Sequence, residues 1–164
     1  MQHIITRPLS MKDIPTWLAL SNEYDNYVRE LVSDLTLWYE GNNSDIAFLD
    51  YMKAKISQRE ACIALDEETK KNIGIVAFSK KNNKISFFGV AHGVDFHSAG
   101  DILISYAINQ LNDQLDISIT VLKSKSPHLE KERDLLKNHG FTCVGSELEN
   151  GVPVETFVKR HGAL

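Results

Sequence analysis

Cysteine is scarce in this chain: Cys62 and Cys143 are the only two among 164 residues. Their separation fits neither a metal-ligand spacing nor a disulfide framework. Both stand in apolar stretches, so each reads as a small buried hydrophobe in a reducing compartment. Long apolar runs are missing too. No stretch approaches the roughly 18 residues needed to cross a bilayer, and the N-terminus carries acidic and polar residues where a secretory signal needs an apolar centre. These absences predict a cytoplasmic protein without a membrane segment. Positive charge is not in excess: 18 Lys and Arg against 22 Asp and Glu leave a net charge of -4, which argues against a nucleic-acid partner. The six histidines show no His-x-x-x-His pairing, so no metal site is expected. There is no Gly-x-Ser-x-Gly elbow, and nothing points to a serine or cysteine nucleophile.

What remains is the composition of a folded globular protein, 43% hydrophobic and 24% charged, with a length that suits one domain over residues 1–164. Ile4 and Ile5 open a strand that Arg7 and Pro8 end. Ser10 caps a helix carrying Ile14, Trp17, Leu18 and Leu20. A second, less regular helix is expected from Asp25 to Leu37, then a loop from Gly41 to Ser44, and a third helix over Ile46 to Ser57. The period then changes. Ala61–Asp66, Ile73–Ser79 and Ile85–His92, separated by short polar turns, predict an antiparallel meander. Helical spacing returns in Ile102, Leu103, Tyr106, Ala107, Ile108 and Leu111, before a β-branched strand from Ile117 to Val121, a crossover that demands a parallel pair. Ser126-Pro127 starts a last helix ending at His139-Gly140. Phe141–Leu148 and Val154–Lys159 flank an Asn150-Gly151 turn. The predicted fold is α/β (α+β): a mixed, mostly antiparallel sheet of about seven strands with helices on its faces.

The segment from Gly93 to Ile102 carries the chemistry. A strand ends there and a helix begins among small residues, so unpaired amides and the positive end of the helix dipole offer a place for a phosphate. An ordinary capped loop, with Asp101 as a dipole partner in the first turn, is the plainer alternative.

The element order, the Ile5-Thr6-Arg7-Pro8 opening and Asp13 resemble the GNAT superfamily of N-acetyltransferases over nearly the whole chain. That family's Arg/Gln-x-x-Gly-x-Gly/Ala pattern falls on His97-Ser98-Ala99-Gly100-Asp101-Ile102, where only the central glycine matches. Gly140-Phe141 is similar to the Gly-Phe that precedes the family's sixth strand. The resemblance implies acetyl-CoA as acyl donor, with its pyrophosphate on the amides of Ser98, Ala99, Gly100, Asp101, Ile102 and Leu103, and with His97 beside it. Its pantetheine arm is expected along Val90, Ala91 and His92. The resemblance also implies acceptor recognition around Glu23, Tyr24 and Asp25.

Two family features are absent. The tyrosine that protonates the departing thiolate is replaced by Leu136, and Lys84 to Ala91 holds no carboxylate to serve as base. His92, at the strand end and titrating near neutrality, is the candidate proton acceptor, with a surface or structural histidine as the alternative. The expected activity is transfer of an acetyl group to a small-molecule or peptide primary amine by direct attack in a ternary complex. Acidic residues Glu23, Asp25, Asp34 and Glu40 suit a cationic acceptor. The alternative is a degenerate domain that binds CoA or a protein partner without turnover. A homodimer is left open.

Overall fold

The computed structural model describes residues 3–31 and 45–162. The elements follow the chain as β1 (Ile4–Pro8), a 3₁₀ turn (Met11–Asp13), α1 (Ile14–Leu31), α2 (Asp45–Ser57), β2 (Ala61–Asp66), β3 (Asn72–Ser79) and β4 (Lys84–Val90). They continue as α3 (Phe96–Gln110), β5 (Ile117–Leu122), α4 (Pro127–Asn138), β6 (Phe141–Glu149) and β7 (Val152–Lys159). The strands form one seven-stranded sheet in the order β1-β2-β3-β4-β5-β7-β6. Every neighbouring pair is antiparallel except β4 and β5. The mixed, mostly antiparallel sheet is therefore as expected, and the parallel pair falls where α3 crosses over.

Alternation along the strands sends side chains to two cores. Cys62, Ala64, Val76, Phe78 and Phe88 meet α3 and α4, whereas Ile63, Leu65, Ile75 and Ala77 meet Trp17, Leu20 and Met52 of α1 and α2. Asn150 (φ 51) and Gly151 (φ 82) make the two-residue turn between β6 and β7, the positive-φ geometry that Asn-Gly favours. Cys62 is buried as expected. Cys143 is exposed, because β6 is the last strand of the sheet and residues 142–148 on it lie open to solvent.

The separate helix expected from Asp25 is corrected. Residues 25–31 continue α1 without a break, while 32–37 and the loop at 41–44 lie outside the described residues. The reason is a stripe that does not stop. Trp17 and Leu20 pack into one core, and the same helix then delivers Tyr24, Tyr27, Val28 and Leu31 to the other. At the start of this helix Asp13 accepts the Ser10 amide at 2.8 Å and both Arg7 guanidinium nitrogens at 2.7 and 2.9 Å. These charge-assisted bonds tie the end of β1 to the helix start.

Candidate active site

A helix that touches both cores must pass over a gap in the sheet, and the gap is between β4 and β5. These strands share a single paired position, Lys84 with Ser118, and have no paired positions beyond it toward Val90 and Leu122. The gap opens into a cavity of about 500 Å³ on the α1/α2 side of the sheet. Its lining includes Tyr24, Tyr51, Phe88, Thr120, Glu132 and Glu149. Tyr51 shares a hydrogen bond with Ser86 Oγ at 2.6 Å, and burial pushes its phenol up to about 12.

Glu132 belongs to α4, whose neighbours lie in the opposite core, yet it lines this cavity. Only 7% of the residue is exposed. Among the described residues it has no hydrogen-bond or ion-pair partner. Its sequence neighbour Arg133 is engaged elsewhere, donating to Glu155 Oε1 at 2.9 Å and to the carbonyls of Leu122 and Ser124. Burial raises the Glu132 carboxyl to about 8, only partly offset by the Arg133 charge. Burial, then the charges of Glu132, Glu149 and Asp25, raise the Tyr24 phenol.

Sequence reasoning missed Glu132, since residues 130–134 read Glu-Lys-Glu-Arg-Asp, a solvated face. A signal was available. Leu129, Leu135 and Leu136 stand three, three and four residues away, which puts Glu132 on the buried stripe.

At the wide end of the gap four rings connect the elements. His128 of α4 stacks on Tyr27 of α1 at 5.2 Å and meets Phe96 of α3 edge-on at 5.3 Å, and Phe96 meets Phe88 of β4 at 5.9 Å. Burial lowers the His128 pKa, so this ring is neutral near pH 7. His92 stands just outside. Its side chain is 87% exposed, its Nε2 is 3.7 Å from Glu23 Oε1, and it does not line the cavity. Of the expected acceptor residues, Tyr24 and Asp25 line the cavity and Glu23 does not.

The residues expected to hold the pyrophosphate at the helix start differ in where their amides go. The strand ends at Val90, and Ala91 and His92 lie beyond it, with Ala91 N still donating to Ile73 O at 2.8 Å. Helix α3 begins at Phe96, earlier than the small residues suggested, because Asp95 stands before it in extended backbone as the N-cap residue and Phe96 is buried in the core. Ala99 N already donates to Asp95 O at 3.1 Å. The amides without helical partners are therefore those of Phe96, His97 and Ser98, and those of Ala99 to Leu103 are spent inside the helix. Ala99, Gly100 and Leu103 are buried, Ile102 is half-buried and Asp101 meets His139 Nε2 at 3.0 Å. Asp95 accepts the Ser98 hydroxyl at 2.7 Å. That bond, with help from the His97 and Ser98 amides, holds its carboxyl below the usual range.

In structure, the chain matches an acetyltransferase of the GNAT family from Bacillus cereus at a TM-score of 0.66 and 13% identity, covering 96% of this chain and 97% of that one. The chain has the GNAT acetyltransferase fold. The same fold relates it to a chain of the NatC complex bound to Gag peptide and CoA, at a TM-score of 0.60 and 15% identity over 96% and 98% of the two chains. It also relates it to the PaiA N-acetyltransferase of Thermoplasma acidophilum in complex with coenzyme A, at 0.57 and 14% over 94% and 98%. No family model and no curated protein matches the sequence. Among the described residues no helix is long and apolar enough to cross a membrane, and no group of three His, Cys, Asp or Glu could hold a metal ion.

Proposed function

We propose that this protein is an N-acyltransferase that passes the acyl group of acetyl-CoA to a primary amine by direct attack in a ternary complex. The observation that carries the proposal is the parting of β4 from β5 after one paired position, which frees strand backbone beside a cavity. The amides of a pantetheine arm can pair with free strand edges as an added strand would. The amides of Phe96, His97 and Ser98, which have no partner within the helix, suit its pyrophosphate once the Asp95 carboxylate yields those of His97 and Ser98. Coenzyme complexes of proteins with the same fold support this choice of donor.

Titration with acetyl-CoA or CoA is expected to raise the melting temperature, since a ligand of the folded state stabilises it by mass action. An amine panel with thiol-release detection then tests transfer. A folded protein showing no shift at millimolar coenzyme would remove the donor from consideration.

Asp95 places a carboxylate at the helix start that the pyrophosphate would approach. Asn also caps helices well. Asp95→Asn is therefore expected to tighten CoA binding about two- to fivefold, the size of one charge at a helix terminus. Unchanged affinity in a calorimetric titration would mean that the pyrophosphate lies elsewhere.

The exposure of His92 and its place outside the cavity support a rim position rather than contact with an amine inside. His92→Gln is expected to change turnover less than about tenfold, short of the 10²- to 10⁴-fold loss typical of a general base. A loss of that larger size, with the pH profile flattened, would return His92 to the role of proton acceptor.

A further inference from the structure

Three acidic residues, Asp25, Glu132 and Glu149, line the cavity. Two lysines line it as well. Lys55 is committed to Phe78 O at 2.7 Å and Glu60 at 3.3 Å, and Lys84, the first residue of β4, has no ion pair among the described residues. The cation that bears on Glu132 is Arg133, whose guanidinium is taken up by Glu155 and two carbonyls. A nine-tenths buried acidic residue that has no hydrogen-bond or ion-pair partner among the described residues, and whose nearby cation Arg133 is engaged elsewhere, is costly to ionise unless something arrives to satisfy it.

We propose that Glu132 is the binding group and proton acceptor for a primary ammonium, whose charged end enters the cavity beside Glu132, Glu149 and the Tyr24 phenol. A primary ammonium offers three donors to a site rich in acceptors. As the route by which the acceptor is activated, this rests on the acyltransferase reading; as a cation site, it stands on the cavity alone.

The ammonium gives one proton to the Glu132 carboxylate, leaving an amine whose lone pair attacks the thioester carbonyl carbon. The C–N bond forms and the C–S bond breaks, its electron pair remaining on sulfur. The second proton lost by nitrogen passes to that sulfur. The products are amide, free thiol and a protonated Glu132, which returns its proton to water. A carboxylate from α4, reaching through the gap, thus serves where β4 supplies none.

The titratable groups that share the cavity with Glu132 or act on it through charge are Tyr24, Asp25 and Tyr27 from α1, Tyr51 and Lys55 from α2, Lys84 from β4, Glu149 from β6 and Arg133 on its own helix, with uncharged Phe88 and Thr120 from β4 and β5. Since its carboxyl titrates at about 8, the empty site is protonated at pH 7, and an arriving ammonium must displace that proton.

The test is calorimetric titration of the whole protein with putrescine, against uncharged butanediol, in buffers of different ionisation heat. The parent should bind putrescine and release a proton at pH 7. Glu132→Gln should bind at least about tenfold more weakly, the worth of one charge-assisted hydrogen bond, and release none. Asp134→Asn, which removes an exposed carboxylate of the same helix outside the cavity, should bind putrescine as the parent does and keep the proton release. Equal putrescine binding by parent and Glu132→Gln, or none by the parent, overturns the cation site. A rise in melting temperature with acetyl-CoA would leave the donor standing in either case. Glu132-dependent binding of putrescine without any coenzyme response would sink the acyltransferase reading and keep the cation site.

Discussion

Glu132→Gln is expected to make the protein more stable, by on the order of 3 kcal/mol at pH 7 and by almost nothing below about pH 4. The sign follows from where the proton resides. In the unfolded chain this carboxyl ionises at its ordinary 4.5, whereas in the fold it keeps its proton to about 8. Between those values the folded state binds more protons, so stability falls as pH rises through the window and levels off above it. Glutamine resembles the protonated acid in shape and cannot ionise, so the variant loses this slope. For a chain of this size the change at pH 7 corresponds to roughly 10 °C in melting temperature. Melting curves of parent and variant from pH 4 to 9 should start together and separate. Parallel curves would mean that Glu132 ionises freely and that the cavity is wetter than its lining implies. A residue that costs the fold this much stability is of the kind found where function needs it.

The parts of the fold legible in the sequence are those governed by local chemistry. The short continuous apolar runs of Ala61–Asp66 and Ile73–Ser79, bounded by polar turns, mark strands that are buried on both faces, as the middle of a covered sheet requires. Asn150-Gly151 marks a hairpin because few residues accept two positive φ values in succession.

The illegible parts depend on partners distant in the chain. Helix α1 looks like two helices because its apolar stripe changes cores midway, and only the sheet shows that Trp17 and Val28 face different layers. The end of β4 and the start of α3 were displaced by a few residues because Phe96 resembles a loop aromatic until the core claims it. The site was hardest to see. Glu132 stands in a run of charges, and its meaning arises from the gap between β4 and β5, which no local pattern of either strand announces.

Gly100 shows the same limit and sets up the second large effect. As the matching glycine of a phosphate-binding pattern, it suggests a bare backbone for an anion to approach, and on that basis Gly100→Glu should weaken coenzyme binding and spare the fold. The geometry gives it another task. A Cβ added at Gly100 would meet Leu135 Cδ2 at 2.5 Å, and Leu135 Cδ1 and Phe88 Cζ at 3.4 Å. The glycine is therefore a place where α3 packs closely against Leu135 of α4, and Leu135, itself fully buried, has little room to withdraw. Alanine there gains up to about 1 kcal/mol in helix propensity but loses about 1–3 kcal/mol to overpacking. Glutamate adds four more heavy atoms beyond the β-carbon, three of them a carboxylate, against the apolar side chains of Leu135 and Phe88. The total cost should reach several kcal/mol, a large share of the 5–15 kcal/mol that holds an ordinary domain together. Gly100→Glu should accordingly be mostly unfolded or recovered only in small amount. Gly100→Ala should remain folded with a denaturation midpoint a little below that of the parent. A Gly100→Glu protein that melts like the parent but has lost its affinity for CoA would show that Leu135 yields easily, and would restore this glycine to the coenzyme.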